Sequence, residues 1–191
     1  MSRIQKVSTY LVFIFNMLIS AVPLFFLIQW IFIDVNPNDV PGIINFLGIL
    51  EKTIQTPEGY INLRTVAWTP PLKLLGFSAD IIASLPFLIS LFFLKSLFSH
   101  YRMGEIFTAR NAIVYRNLGI LYLIDALLIT SLSQTLMILA VTLTNSPGHR
   151  YLSIGFGTPN LSSLFYGALV ILVSWVLLEA SKIFDENKLT V

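Results

Sequence analysis

The stretch YLVFIFNMLISAVPLFFLIQWIFI, Tyr10 to Ile33, runs for 24 residues without a single Asp, Glu, Lys or Arg. A helix rises about 1.5 Å per residue, so this stretch is long enough to cross a hydrocarbon core of about 30 Å. Three more apolar stretches follow, at about 77–98, 118–143 and 161–181. Inside a bilayer the backbone must satisfy its own polar groups, which makes each stretch a helix. The pattern predicts an all-α membrane protein: a four-transmembrane-helix bundle forming one domain over residues 1–191, with the lipid bilayer as its first partner.

Composition agrees. Hydrophobic residues make up 55% and charged residues 12%, and the mean hydropathy is +0.79. A soluble domain carries about 25% charged residues, so this chain cannot cover a water-facing surface. The net charge of +2 gives no argument for direct nucleic acid binding. The absence of cysteine excludes disulfides, thiolate metal sites and a cysteine nucleophile. Arg3 and Lys6 precede the first stretch in the manner of a signal peptide. The stretch exceeds the apolar region of about 7–15 residues that a cleavable signal has, and it reads as a retained anchor.

The basic residues set a direction. Short cytoplasmic segments collect Lys and Arg. Arg3 and Lys6, the cluster Lys95, Arg102, Arg110 and Arg116, and Lys182 and Lys188 place eight on one side. Lys52, Arg64, Lys73 and Arg150 place four on the other. Both termini and the loop at 99–117 are therefore expected in the cytoplasm, with the tail 182–191. The loop at 34–76 is expected outside, in a multi-pass protein of a bacterial inner (cytoplasmic) membrane.

That long outer loop has internal pattern. Asn38 or Asp39 can cap a helix with Pro41 near its first turn. Ile43, Phe46, Leu47, Leu50 and Ile54 recur at roughly helical spacing, which predicts a short amphipathic helix over Gly42 to Ile54 on the membrane surface. Thr56-Pro57-Glu58-Gly59 reads as a turn, and Thr69-Pro70-Pro71 ends whatever precedes the second span. Trp30, Tyr60 and Trp68 fall where an aromatic belt belongs.

The polar residues within the spans divide into bland positions and a few candidates for chemistry. Asn16, Ser20 and Pro23 share one face of the first, expected to look inward. Asp80 lies near the outer end of the second, where it can reach water. Asp125 is the sharpest single residue, because an ionisable group within a span is costly and points to function. The bland alternative pairs it with Arg116, Arg110 or Lys182. Beyond it, Thr130 to Thr135, with Gln134, forms a polar stripe. Ser163, Gly167 and Ser174 give the fourth span a small face for close helix approach, and Glu179 at its inner end can pair with Lys182. His100 and His149 fall on opposite sides and cannot share a metal. No zinc-binding His-Glu-x-x-His pattern, serine-nucleophile elbow or phosphate loop occurs. The expectation is a non-enzymatic protein without cofactor.

Two cytoplasmic pieces carry further pattern. The first is Tyr101-Arg102-Met103-Gly104-Glu105-Ile106-Phe107-Thr108 with Asn111 and Arg116-Asn117-Leu118-Gly119. Gly104 permits a tight turn there and Thr108 can cap the following helix. The second is Glu179-Ala180-Ser181-Lys182 followed by Glu186-Asn187-Lys188-Leu189-Thr190-Val191. Together they resemble a bacterial family of short four-span inner-membrane proteins, domain of unknown function two-nine-seven-five. Ala180 stands where many members have Gly. The resemblance implies the same architecture and location, and the neighbourhood of small helix-turn-helix regulators. Beside it stands a physical expectation: Leu189 to Val191 pack on the loop Gly104 to Asn111 as one cytoplasmic surface, and Arg102, Gly104, Glu105, Arg110, Asn111, Arg116, Glu186 and Asn187 on these two pieces are candidates for binding a partner.

Three roles follow as expectations. The first is a signalling or regulatory membrane protein whose cytoplasmic loop and tail engage a partner, such as a helix-turn-helix regulator. The second is a small transporter or ion or proton pathway, with Asp125 and the polar stripe around Gln134. The third is an accessory subunit of a larger membrane complex, bound through the small face of the fourth span; a homo-oligomer is a further possible assembly.

Overall fold

The computed structural model describes residues 3–36, 38–57, 59–153 and 161–189, with side chains as far as Glu186. Helices dominate: α1 (Arg3–Phe32), α2 (Gly42–Phe46), α3 (Pro70–Met103), α4 (Ala109–Ile124), a π-helical turn (Asp125–Ile129), α5 (Thr130–Thr142) and α6 (Leu161–Leu189). Strands β1 (Thr53–Thr56) and β2 (Gly59–Asn62) form an antiparallel hairpin, followed by a 3-10 turn at Leu63–Thr65. Four helical stretches, Arg3–Phe32, Pro70–Met103, Ala109–Thr142 and Leu161–Glu186, are long and apolar enough to cross a membrane. Large apolar side chains such as Phe13, Met17, Leu172 and Val176 stand exposed along them, as lipid-facing positions do.

The chain forms two compact units. The first contains residues 1–21, 85–129 and 157–191, and the second 22–84 and 130–156. Each passage from one to the other lying within the described residues falls beside Pro23 inside α1, Pro86 inside α3 or the π-helical turn. Proline removes one backbone donor from the helical ladder, and a π turn departs from the regular α pattern.

In the first unit α4 lies along α6 at very close range. A Cβ on Gly119 would stand 2.6 Å from Ile171 Cγ1 and 2.7 Å from the carbonyl of Gly167. One on Gly167 would stand 2.9 Å from Leu123 Cδ2. Small residues admit such approach, and dispersion between the backbones supplies the attraction that water cannot supply in lipid. The small face of the fourth span is thus occupied by α4 of the same chain at Gly167. The rings of Phe15 and Phe98 meet at 5.7 Å in the same unit.

The second unit carries its own core of Trp30, Ile33, Leu63, Ala79, Met137 and Val141, against which Ile54, Ile61 and Trp68 pack. Trp30 is 4% exposed, so it is a core residue and not part of a belt. Its ring leaves no room for a side chain at Gly76 and meets Trp68 edge-on at 5.0 Å. Val40, Ile44 and Leu50 form a second, smaller cluster with Ile28 and Phe32.

The outer loop departs from its expected form. The helix expected over Gly42 to Ile54 stops at Phe46, and Ile54 lies in β1 opposite Ile61. Gly48 takes φ +63° directly after the C-cap Leu47, the left-handed conformation that terminates a helix. Beyond it, β-branched Thr53, Ile54 and Thr56 favour an extended chain. Pro41 occupies the N-cap of α2 with no side-chain capping bond, so neither Asn38 nor Asp39 caps it. Thr56 pairs with Gly59 across the hairpin end, where Gly59 takes φ +119°; Glu58 of the expected turn lies outside the described residues. The start of α3 at Pro70 agrees with the Thr69-Pro70-Pro71 signal. Asn16 and Ser20 are exposed and do not look inward, and the Ser20 hydroxyl is satisfied by the carbonyl of Asn16 on its own helix at 3.4 Å.

Candidate functional site

The second unit holds a cavity of about 610 Å³. One wall is the run Lys52 to Pro57, which includes all of β1, and Ser153 adds to the lining. A second wall is Ala79, Asp80 and Ala83 on α3, positions that share a helix face. The third is Thr130, Ser133, Gln134, Met137 and Ile138 on α5. Their spacing of three, four, seven and eight from Thr130 is that of one helical stripe. The polar part of the third span therefore faces a built cavity. Ser133 donates its hydroxyl to the carbonyl of Thr130 at 3.0 Å and keeps its acceptor capacity.

Asp80 is the charged centre. It is 3% exposed, where the sequence suggested that it reaches water. Trp30 Nε1 donates to Asp80 Oδ2 at 2.8 Å, and Lys52 Nζ pairs with Oδ1. The side chain of Lys52 is 33% exposed, that of Asp80 only 4%. The lysine thus leads out from a carboxylate buried at the foot of the site. A second pair, Lys73 with Asp34 at 2.6 Å, lies nearer the surface, and Lys73 also reaches the carbonyl of Ile31 at 3.2 Å.

Neither Lys52 nor Asp80 stands out in the sequence as a site residue. Asp80 looks solvated because it sits near a span end, and Lys52 is one loop cation among several. The available signal is an acid within an apolar span together with a Trp and a Lys, at separations of 50 and 28 residues. No periodicity links such distances.

The other candidate residues gather elsewhere, in the first unit. Gly104 takes φ +88° and turns the chain after α3, and Thr108 caps α4 by accepting from the backbone N–H of Asn111 at 3.3 Å. Asn111 is 1% exposed. Its amide nitrogen donates to the carbonyls of Glu105 at 2.7 Å and Ile106 at 2.9 Å. Its amide oxygen lies 2.9 Å from His100 Nδ1. With the amide N–H groups given to carbonyls, the oxygen accepts and His100 Nδ1 donates. The motif Asn is thus the staple of the loop. Tyr101 and Tyr115 join hydroxyls at 3.1 Å beside it, and the Phe107 and Phe184 rings meet at 6.3 Å.

Arg102, Glu105, Arg110 and Arg116 are exposed around this staple, and so is Glu186 on α6. Glu179 pairs with Lys182 at 2.8 Å on the surface. Asp125 opens the π-helical turn, is half-buried, and is not among the residues lining the cavity, whereas Gln134 is. The side chain of Asn187, and with it the packing expected of Leu189 to Val191, lies outside the described residues. Among the described residues no group of His, Asp and Glu is placed to hold a metal ion.

Four helices of membrane-crossing length and apolarity place the chain in the class of multi-pass membrane proteins. A family model described as Protein of unknown function (DUF2975) matches residues 53–191, and the chain belongs to that family. The match takes in the cavity walls from Thr53 onward and the whole stapled loop. No curated protein and no solved structure gives a match.

Proposed function

We propose that this chain is a non-enzymatic regulatory membrane protein that receives a small polar molecule in the cavity of its second unit. The observation that carries the reading is the buried Asp80, held by Trp30 and Lys52 on the wall of that cavity. A buried charge pair contributes little net stability compared with apolar packing of the same volume. Its presence beside a cavity with hydroxyl and carboxamide walls supports a recognition role. In the orientation favoured by the basic residues, both termini and the stapled loop are cytoplasmic, in the inner membrane of a bacterium. The cavity then faces outward, as a sensor's would. Arg102, Arg110 and Arg116 around the loop, with Glu186, supply a charged docking surface for a cytoplasmic partner, for which a helix-turn-helix regulator is the candidate.

The test is co-purification of a partner from native membranes. Wild-type protein is expected to retain a specific cytoplasmic partner that Arg110→Glu and deletion of residues 189–191 both lose. Recovery of the same partner with either variant overturns the docking surface.

Transport is the second reading, favoured by the π-helical turn that opens at Asp125 inside a span, since such turns cluster at functional positions. Asp125→Asn is then expected to abolish flux in proteoliposomes. Unchanged flux removes Asp125 from the pathway.

A further inference from the structure

Resting on the reading of the cavity as a ligand site, we infer that its ligand is a small zwitterion carrying an ammonium group and an anionic oxygen group a few ångströms apart. Free α-amino acids and the headgroup of an ethanolamine phospholipid share this chemistry.

Charge balance is the first argument. Among the described residues that line the cavity, only Lys52 and Asp80 are ionised, and they are opposite in sign. A ligand of net charge would leave one unit uncompensated against walls that include Ala79, Met137 and Ile138, where low polarity makes that costly. A zwitterion leaves none. Its ammonium meets Asp80, its anionic group meets Lys52, and the protein's own pair is exchanged for two pairs of the same kind.

Unspent bonding capacity is the second. The Asp80 carboxylate takes one donor on each oxygen, Lys52 on Oδ1 and Trp30 on Oδ2, and an ionised carboxylate has about four acceptor positions. Lys52 gives one N–H to Asp80 and has further N–H groups to give. Both partners can therefore take up a ligand before they release each other.

Pre-organisation is the third. The Trp30 indole is packed in the core and bonds Oδ2, the oxygen that Lys52 does not engage. Lys52 is the accessible member, its side chain one-third exposed at the end of a four-carbon stem. A buried acid beside an accessible cation suits a ligand whose two charges sit close together, because the two protein charges are themselves in contact. The volume of about 610 Å³ lies within the usual range of about 300–1,000 Å³ for ligand sites, leaving room for an apolar side chain against Met137 and Ile138.

The experiment measures binding to the purified full chain by calorimetry in detergent and in nanodiscs. The probes are L-leucine, L-phenylalanine and glycine, then N-acetyl-L-leucine, which has lost the cation, and L-leucinamide, which has lost the anion. Glucose serves as an uncharged polar probe, and nanodiscs are made with and without phosphatidylethanolamine. The expected result is binding of an amino acid, or displacement of one by phosphatidylethanolamine, with both single-charge analogues weaker by at least about tenfold. Lys52→Gln and Asp80→Asn are each expected to lose that binding. The Lys52 variant keeps the test valid if the buried Asp80 variant fails to fold. Amino acid binding in detergent identifies the soluble source; a response to phosphatidylethanolamine alone identifies the lipid. If glucose or a single-charge analogue binds as tightly as any zwitterion, and Gln134→Leu weakens it, the cavity remains a ligand site and the zwitterion inference is overturned. If no probe binds, the inference is overturned and the ligand-site reading falls with it.

Discussion

The indole N–H of Trp30 donates to Oδ2 of Asp80 across 2.8 Å, joining the first long helix to the second through a buried acid. This bond explains why an apolar span tolerates Asp80 and why Trp30 lies in the core. Replacing Trp30 by Phe keeps most of the buried ring and removes only the donor. A buried acceptor that loses its partner costs about 1–3 kcal/mol. Trp30→Ala also opens a cavity over Gly76, and large-to-small aromatic substitutions cost about 3–5 kcal/mol. Thermal melting in detergent should rank the two in that order. Equal melting temperatures for wild type and Trp30→Phe would show the hydrogen bond to be unimportant.

Asn111 makes three hydrogen bonds with its side chain, to His100, Glu105 and Ile106. Asn111→Leu preserves bulk and strands all three partners, so the loop between α3 and α4 should loosen. Limited trypsin digestion at Arg102 or Arg110 is the measurement, and faster cleavage than in wild type is the expected result. His100→Phe removes one of the three bonds and should fall between the two.

The close approach of α4 to α6 sets a clear contrast between glycines. A Cβ at Gly119 meets Ile171 and the Gly167 carbonyl at under 3 Å, and overpacking of this kind costs about 1–3 kcal/mol. Gly42 in α2 has nothing within 4 Å of the same position. Gly119→Ala should lower the melting temperature, whereas Gly42→Ala should leave it unchanged or raise it slightly. The same response from both would contradict the packing described.

Because the chain has no cysteine, single cysteines report orientation without background. Tyr60→Cys, at a side chain 77% exposed in β2, should react with a membrane-impermeant maleimide added to intact cells. Arg110→Cys should react only after the membrane is broken. The opposite pattern would place the loop 34–76 in the cytoplasm and reverse the topology.

Local features were legible in the residues themselves. Long apolar runs, the first without any charge and the others with one or two, announced the four long helices, Thr69-Pro70-Pro71 marked the start of α3, and Gly104 and Thr108 marked the turn and cap before α4. Each depends on neighbours within a turn or two, where spacing and backbone preference suffice. The hairpin was hidden because Leu50 and Ile54 fit a helical spacing, and only Gly48 at positive φ shows where that helix ends.

The residues therefore determine that this chain belongs in a membrane and where its helices run, since hydrophobicity and helix length are properties of contiguous sequence. Tertiary structure alone decided that Trp30, Lys52 and Asp80 meet, that Asn111 is a staple, and that Thr130, Ser133 and Gln134 face a cavity instead of lipid. Those outcomes depend on burying a carboxylate or an amide beside partners many residues away. The free energy that selects such contacts arises only when distant segments pack together.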